Sequence, residues 1–130
     1  MGEVWRAVDQ ETGEPVAVKL LPGHGPEDAA RFGREAQILA GLSHPRVVRY
    51  VAHGAGDGGA PYLVMEWLEG EDLTARLGRG PLAIDESVGL ALCVAEVLGF
   101  AHERGVVHRD LKPSNLLLVG GTVEDRKSVV

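Results

Sequence analysis

The order in which hydrophobic patterns change along the chain is the feature that most constrains its fold. Residues 3–8 and 15–21 are short, rich in β-forming residues and separated by a turn containing Gly13, which predicts an antiparallel hairpin. Residues 47–52 and 62–67 repeat this arrangement around a glycine-rich loop. Because strands come first and most helical periodicity comes later, the sequence predicts a two-part α+β fold rather than a parallel sheet.

The first helical pattern covers residues 27–42 and lies between the two predicted hairpins. Acidic residues in its first turn favour a helix start there, and Gly41 and Pro45 favour an end. The predicted core face consists of Phe32, Ala36, Leu39 and Leu42.

Two further helices are predicted after the second hairpin. A short one covers residues 72–77, and a longer one begins at Asp85 or Glu86 and ends before Gly105. The apolar stripe of the longer helix is predicted at Val88, Leu92, Ala95 and Leu98. Residues 106–119 predict a strand, a polar loop and a second strand.

Composition narrows the functional classes. A net charge of −6 argues against a nucleic-acid partner or an anionic membrane surface, since either would favour a basic face. The single cysteine, Cys93, excludes an internal disulfide and is expected to be a buried thiol. The sequence has no leader pattern and no apolar run near the ~18 residues of a membrane span, so a cytoplasmic protein is expected, with room for an anchor outside this sequence.

Residues 108–115 gather several polar groups on one short loop between apolar segments. Asp110 is followed five residues later by Asn115, with Lys112 and Pro113 between them. Phosphoryl transfer uses this combination, because an acceptor must receive the proton of the attacking hydroxyl, a cation must offset phosphate charge, and an oxygen must help hold Mg²⁺. The loop therefore indicates phosphoryl transfer.

Two charged residues in the first half are ambiguous taken alone. Lys19 shares a strand face with Ala17, and a strand lysine is usually a solvated edge residue. Glu35 lies at the margin of the first helix's apolar face, where a buried carboxylate needs a cation. Lys19 is one candidate partner, and Arg31 or solvent is the other.

Taken together, these segments resemble the protein kinase family over nearly all residues before the tail. Residues 108–115 are similar to the catalytic loop of serine/threonine kinases, which implies that Asp110 is the catalytic base, Lys112 contacts the γ-phosphate and Asn115 is a Mg²⁺ ligand. Residues 16–19 resemble the third-strand motif, which makes Lys19 the contact to the α- and β-phosphates of ATP. Glu35 then corresponds to the helix-C glutamate that pairs with Lys19.

The resemblance also implies a nucleotide pocket. Gly2 and Val4 are similar to the end of the glycine-rich loop, so Val4 would cover the adenine, with Ala17 on the same side and Leu117 as the floor.

Residues 62–68 are similar to the hinge between the two kinase lobes. Met65 would be the gatekeeper, and the backbone of Glu66 and Leu68 would bond the adenine edge. Asp72 is a weaker candidate for the ribose hydroxyls.

The expected fold is therefore protein-kinase-like α+β, with an antiparallel-sheet small lobe carrying helix C and the start of a helical large lobe. The predicted domains are a small lobe and hinge at 1–68 without its first strand, and a partial large lobe at 69–124. Residues 125–130 resemble read-through of a sequencing adapter and are excluded from the predicted fold.

Two features of the kinase pattern are absent from this sequence, namely the earlier glycines of the phosphate loop and the Asp-Phe-Gly motif. The expected function is ATP- and Mg²⁺-dependent phosphorylation of serine or threonine in proteins, with this polypeptide inactive alone. A pseudokinase that binds nucleotide without chemistry is the alternative, and a small-molecule phosphotransferase a more remote one. The oligomeric state stays open.

Overall fold

A computed structural model describes residues 3–21, 23, 25–107, 111–120 and 127–129, the last three without their side chains. The chain forms two compact units. The sheet unit comprises Met1–Ser43 and Arg49–Trp67, and the helical unit comprises His44–Val48 and Leu68–Val130.

In the described residues, seven short strands are interspersed with three α-helices. The strands are β1 (Val4–Val8), β2 (Pro15–Leu20), β3 (Tyr50–Ala55), β4 (Pro61–Glu66), β5 (Gly70–Asp72), β6 (Leu117–Val119) and β7 (Lys127–Val129). The helices are α1 (Pro26–Ala40), α2 (Leu73–Leu77) and α3 (Ile84–Glu103), with 3-10 turns at Asp57–Gly59 and Pro113–Asn115.

The sheet unit contains a four-stranded antiparallel sheet in the order β1-β2-β4-β3, and both predicted hairpins are confirmed. The β1–β2 turn closes because the Asp9 N–H donates to the Glu14 carbonyl at 2.9 Å and the Gly13 N–H donates to the Asp9 carbonyl at 2.8 Å. Gly13 has a φ of 74°, a conformation that favours glycine.

Strand β3 begins at Tyr50, later than the predicted residue 47. The reason is that His44–Val48 belongs to the helical unit, so the chain joins the sheet only after this segment ends.

Helix α1 confirms the first predicted helix, with Pro26 in its first turn. Ala36 is its buried residue, and the Phe32 ring meets the His53 ring of β3 edge-on with centroids 6.2 Å apart. The predicted apolar face therefore packs against the β3–β4 side of the sheet, while Ile38 is exposed.

The core of the helical unit is a cluster of three buried leucines, namely Leu73, Leu116 and Leu118. Three partly buried side chains pack against it, one from the segment just before the unit's long helix and two from the helix itself: Leu82, Leu90 and Val94. The stripe predicted for this helix was wrong at Val88 and Leu92, which are exposed, whereas its member Leu98 is half-buried. The fully buried residues of the helix are Val97 and Ala101. An almost continuously apolar helix gives periodicity little contrast from which to choose a face.

Helix α3 ends at Glu103, before Gly105 as predicted, and Gly105 follows the C-cap residue Arg104 with a φ of 74°. The predicted strand at residue 106 does not form where it is described; the Val106 N–H instead donates to the Ala101 carbonyl at 2.9 Å and closes the helix end.

The helical unit also contains a small antiparallel sheet in the order β5-β6-β7. Strand β5 was not predicted, because its three residues become a strand only by pairing with β6, far along the chain. Residues Lys127–Val129 of the tail that sequence reasoning excluded from the fold form β7 beside β6.

The His44–Val48 segment docks on α3 through a polar and aromatic cluster. The His44 ring lies 4.7 Å from the Phe100 ring, and Arg104 stacks on Phe100 at 3.7 Å. The Glu96 Oε2 lies 3.3 Å from the Arg46 Nε, and the Glu96 Oε1 lies 3.6 Å from the His44 Nε2. This segment is therefore held by α3 rather than by the sheet.

Among the described residues, none of the helices has the length and apolar character that crossing a membrane requires.

Candidate functional site

One face of the four-stranded sheet brings four predicted site residues together. Val4 pairs with Lys19 across β1 and β2, and Ala17 pairs with Met65 across β2 and β4. Because directly paired residues share a sheet face and so do residues two apart on a strand, all four side chains lie on the same side. Three are apolar and one is a half-buried cation.

Helix α1 packs on this same face. His53, which the Phe32 ring contacts, pairs with Leu63, and Leu63 is two residues from Met65 on β4. The Tyr50 hydroxyl lies 2.6 Å from the His53 Nδ1 and fixes the ring that α1 meets.

The implied Lys19–Glu35 ion pair is not formed in this structure. The Glu35 carboxylate lies 3.5 Å from the Arg31 Nε, one turn earlier on α1, and 63% of the Glu35 side chain is exposed. The described residues hold no salt bridge to Lys19. Of the two alternatives that the sequence left open for Glu35, the structure shows the second, in which Arg31 and solvent surround the carboxylate.

Glu66 ends β4 and is held twice by Arg49. The Glu66 N–H donates to the Arg49 carbonyl at 2.9 Å, and the Arg49 N–H donates to the Glu66 Oε1 at 2.9 Å. This pair of hydrogen bonds to the backbone of Arg49 was not predicted, because no sequence pattern distinguishes Arg49. Because the Glu66 N–H already donates to the Arg49 carbonyl, the backbone group of Glu66 that could bond adenine is its carbonyl oxygen.

Asp72 and Leu117 form a second pair within the helical unit. They are cross-strand partners in the β5–β6 ladder, so both lie on one face of that ribbon. The Asp72 Oδ1 accepts the Ala75 N–H at 2.8 Å and caps α2. Leu68, the other predicted residue before this ladder, is half-buried and lies outside any strand.

The part of the catalytic-loop run that the structure describes begins at Leu111. Lys112 is extended, and the Asn115 N–H donates to its carbonyl at 2.9 Å, forming the 3-10 turn that leads into β6. Asp110 and Gly2 lie outside the described residues.

Beside Asp72, Glu71 and Arg79 form a two-pronged ion pair, with the Arg79 Nη2 donating to the Glu71 Oε1 at 2.7 Å. The hydrogen bond that Arg79 donates to Glu71, and then the negative charge of Glu71, raise the pKa of Arg79. In the described part of the chain, no group of three or more histidine, cysteine or acidic side chains is arranged to hold a metal ion.

Comparison with known families decides the identity. Residues 1–124 match the family described as "Protein kinase domain". The chain belongs to the protein kinase family. The match ends before the residues that form β7.

Curated relatives are bacterial serine/threonine kinases. The serine/threonine-protein kinase PknA of Mycobacterium tuberculosis (strain ATCC 25618 / H37Rv) is 40% identical, over 91% of this chain and 29% of that protein. The serine/threonine-protein kinase pkn2 of Myxococcus xanthus is also 40% identical, over 91% of this chain and 14% of that protein. The chain thus spans less than a third of the length of these relatives.

Solved structures confirm the kinase-like α+β fold. The Mycobacterium tuberculosis PknI kinase domain superposes with a TM-score of 0.81 at 31% identity, covering 100% of this chain and 53% of that chain. Rad53 1-466 in complex with AMP-PNP superposes with a TM-score of 0.80 at 28% identity, covering 99% of this chain and 35% of that chain.

Proposed function

We propose that this chain binds Mg-ATP in the manner of a protein kinase that transfers the γ-phosphoryl group to serine or threonine hydroxyls of proteins. The observation that carries the proposal is the sheet face shared by Val4, Ala17, Lys19 and Met65. Apolar side chains suit a flat adenine ring, and a cation on the same face suits the phosphates.

By motif, the proposal assigns adenine contacts to Val4 and Ala17 in the sheet unit and to Leu117 in the helical unit, and it assigns the gatekeeper position to Met65. The Glu66 amide donates to Arg49, so the adenine edge is assigned to the Glu66 carbonyl and the Leu68 backbone.

The remaining nucleotide contacts are assigned by motif. Gly2 allows the backbone to approach the phosphates, and Asp72 contacts the ribose. The AMP-PNP in the Rad53 complex supports a nucleoside triphosphate as the ligand.

The chemistry is assigned to the catalytic-loop run. The substrate hydroxyl oxygen forms a bond to the γ-phosphorus while the bond from that phosphorus to the β–γ bridging oxygen breaks, releasing ADP. Asp110 accepts the hydroxyl proton, and Lys112 and Lys19 offset charge on the phosphates.

Asn115 is the described side chain assigned to Mg²⁺. Its amide oxygen is a hard ligand of the kind Mg²⁺ accepts, and because Mg²⁺ is held mainly by phosphates, waters and one or two side chains, a dedicated cluster is not required. Bound Mg²⁺ would neutralise charge on the β- and γ-phosphate oxygens. Because ATP is a cytoplasmic substrate, we assign the domain to the cytoplasm.

The first test is binding. At about 100 times its dissociation constant, Mg-ATP should raise the unfolding free energy by ~2.7 kcal/mol, and Lys19→Met should remove most of this gain. Lys127→Met is the matched control, since Lys127 lies outside the family match. An equal response of Lys19→Met and wild type to Mg-ATP would contradict the proposed phosphate contact.

The second test is transfer. In a protein of full kinase-domain length, Asp110→Asn should lower phosphate transfer to a serine-containing protein by roughly 10²–10⁴-fold with little change in Mg-ATP affinity. An Asp110→Asn variant with undiminished transfer would refute the assigned base.

One observation favours a second candidate, a nucleotide-binding module without transfer: Glu35 pairs with Arg31 rather than Lys19. Kinase catalysis requires the lysine–glutamate pair. If transfer occurs, Glu35→Gln should lower its rate, whereas Arg31→Gln, which releases Glu35, should not. Mg-ATP binding without any transfer in the longer protein would establish the second candidate.

A further inference from the structure

Strands β5 and β6 approach each other so closely at Gly70 that no side chain fits there. A Cβ added to Gly70 would lie 3.0 Å from the Leu118 carbonyl carbon and 3.3 Å from the Val119 Cα, and closer still to the Leu118 carbonyl oxygen. All three are backbone atoms, so no change of rotamer makes room. Gly70 is not among the glycines with positive φ, so the space and not the torsion demands glycine.

The residues that follow Gly70 are each tied to a different part of the helical unit. Glu71 pairs with Arg79, Asp72 caps α2, and the Leu73 N–H donates to the Leu116 carbonyl at 2.9 Å. A shift of β5 away from β6 would therefore move Asp72 relative to Leu117, its cross-strand partner.

The two oxygens of the Asp72 carboxylate have different surroundings. Oδ1 accepts the Ala75 N–H at 2.8 Å, and the described residues make no hydrogen bond to Oδ2. The cap fixes the side-chain rotamer, so the direction of the second oxygen follows from the position of the β5 backbone.

We propose that Gly70 is a positioning residue for the ribose of the bound nucleotide. By letting β5 lie against the β6 backbone, it sets where the Asp72 carboxylate meets the ribose hydroxyls, and with them the preference for ribose over hydroxyl-free sugars. This inference rests on the proposed function, in which Asp72 contacts ribose.

The test compares dissociation constants for Mg-ATP and for its 2′,3′-dideoxy analogue, which lacks both ribose hydroxyls. Wild type should prefer ATP by between about two- and tenfold, the size of one hydrogen bond. In Gly70→Ala and in Asp72→Ala the ratio should fall close to one. In the double variant it should fall no further, because both substitutions remove the same contact.

Gly99→Ala is the matched control, since a Cβ at Gly99 on α3 meets nothing within 4 Å. It should keep the wild-type ratio. Partial unfolding of Gly70→Ala does not blur the result, because the folded fraction scales both apparent dissociation constants equally and cancels in their ratio.

The outcomes separate the inference from the function beneath it. If wild type binds no Mg-ATP, the proposed function fails. If it binds without preference for ribose, or if Gly70→Ala keeps the wild-type ratio, the inference alone fails. If Gly70→Ala leaves no folded protein that binds either nucleotide, Gly70 serves folding and not positioning, and the inference also fails.

Discussion

The two units position their site residues by different means. In the sheet unit, alternation along strands and the register of paired strands put Val4, Ala17, Lys19 and Met65 on one face. In the helical unit, the β5–β6 ribbon is only three residues long on each strand, and a close backbone approach, a helix cap and an ion pair hold Asp72. Where many strand pairs fix the side-chain positions, a single substitution should disturb the site little. Where a three-residue ribbon fixes them, a single substitution can displace the site residue.

The two tryptophans allow this difference to be measured. Trp5 and Trp67 both lie in the sheet unit, so tryptophan fluorescence reports unfolding of that unit. Hydrogen exchange of peptides from β5, β6 and α2 reports the helical unit.

The largest effect is expected from Leu118→Ala. Leu118 is 5% exposed in the leucine core of the helical unit, and its truncation should cost about 2–5 kcal/mol. Exchange in β5, β6 and α2 should accelerate strongly, while the fluorescence transition in urea stays near its wild-type midpoint. The control is Leu77→Ala, whose side chain is 41% exposed. A fluorescence midpoint that falls as far as the exchange stability would mean that the units unfold together.

A smaller effect is expected from Val16→Ala in the sheet. Val16 is 7% exposed, and removing two methyl groups at ~0.8 kcal/mol each should cost about 1.6 kcal/mol. The fluorescence midpoint should fall, with little change in exchange of the helical unit. Val8→Ala, at an exposed position of the neighbouring strand, should be close to neutral. Equal effects of both substitutions would contradict the burial of Val16 in the sheet unit.

Asp72→Ala should cost about 1 kcal/mol without nucleotide, because α2 loses its N-cap bond. Asp72→Asn should restore most of this stability, since asparagine caps helices as well as aspartate does. Urea denaturation followed by exchange in α2 measures both variants. If Asn and Ala destabilise equally, the side chain does not act as a cap.

The smallest effect is expected from Arg79→Gln. Its pair with Glu71 is exposed, so the shift in thermal midpoint should be slight at low salt and should vanish in 1 M salt, where the Debye length is about 3 Å. Thermal denaturation at two salt concentrations measures this. A shift that persists in 1 M salt would indicate packing by the arginine stem instead.

Sequence reasoning predicted the sheet unit well because its signals are local. The hairpin at Gly13 and the apolar face of α1 follow from turn chemistry and periodicity alone. In the helical unit, the core face of α3 depends on which leucines meet it, and a continuously apolar sequence does not specify that. Strand β5 depends on β6, almost fifty residues away, so Gly70 carried no local signal of a strand.

The candidate site divides in the same way. Pairing of Lys19 with Val4 and of Ala17 with Met65 follows once the strands are known, whereas the partner of Glu35 depends on where α1 docks. The two hydrogen bonds between Arg49 and Glu66 use the backbone N–H and carbonyl of Arg49. Because every residue except proline carries both groups, the side-chain pattern of the sequence could not predict this contact.

The docking of His44–Val48 on α3 has a consequence for how the gene can be divided. The chain passes between the units after residues 43, 48 and 67, so neither unit corresponds to one uninterrupted stretch of codons. A split after residue 68 would leave His44 and Arg46 on one product and Glu96 and Phe100 on the other. The two products would each lack part of a packed cluster, and co-expression would have to reassemble it.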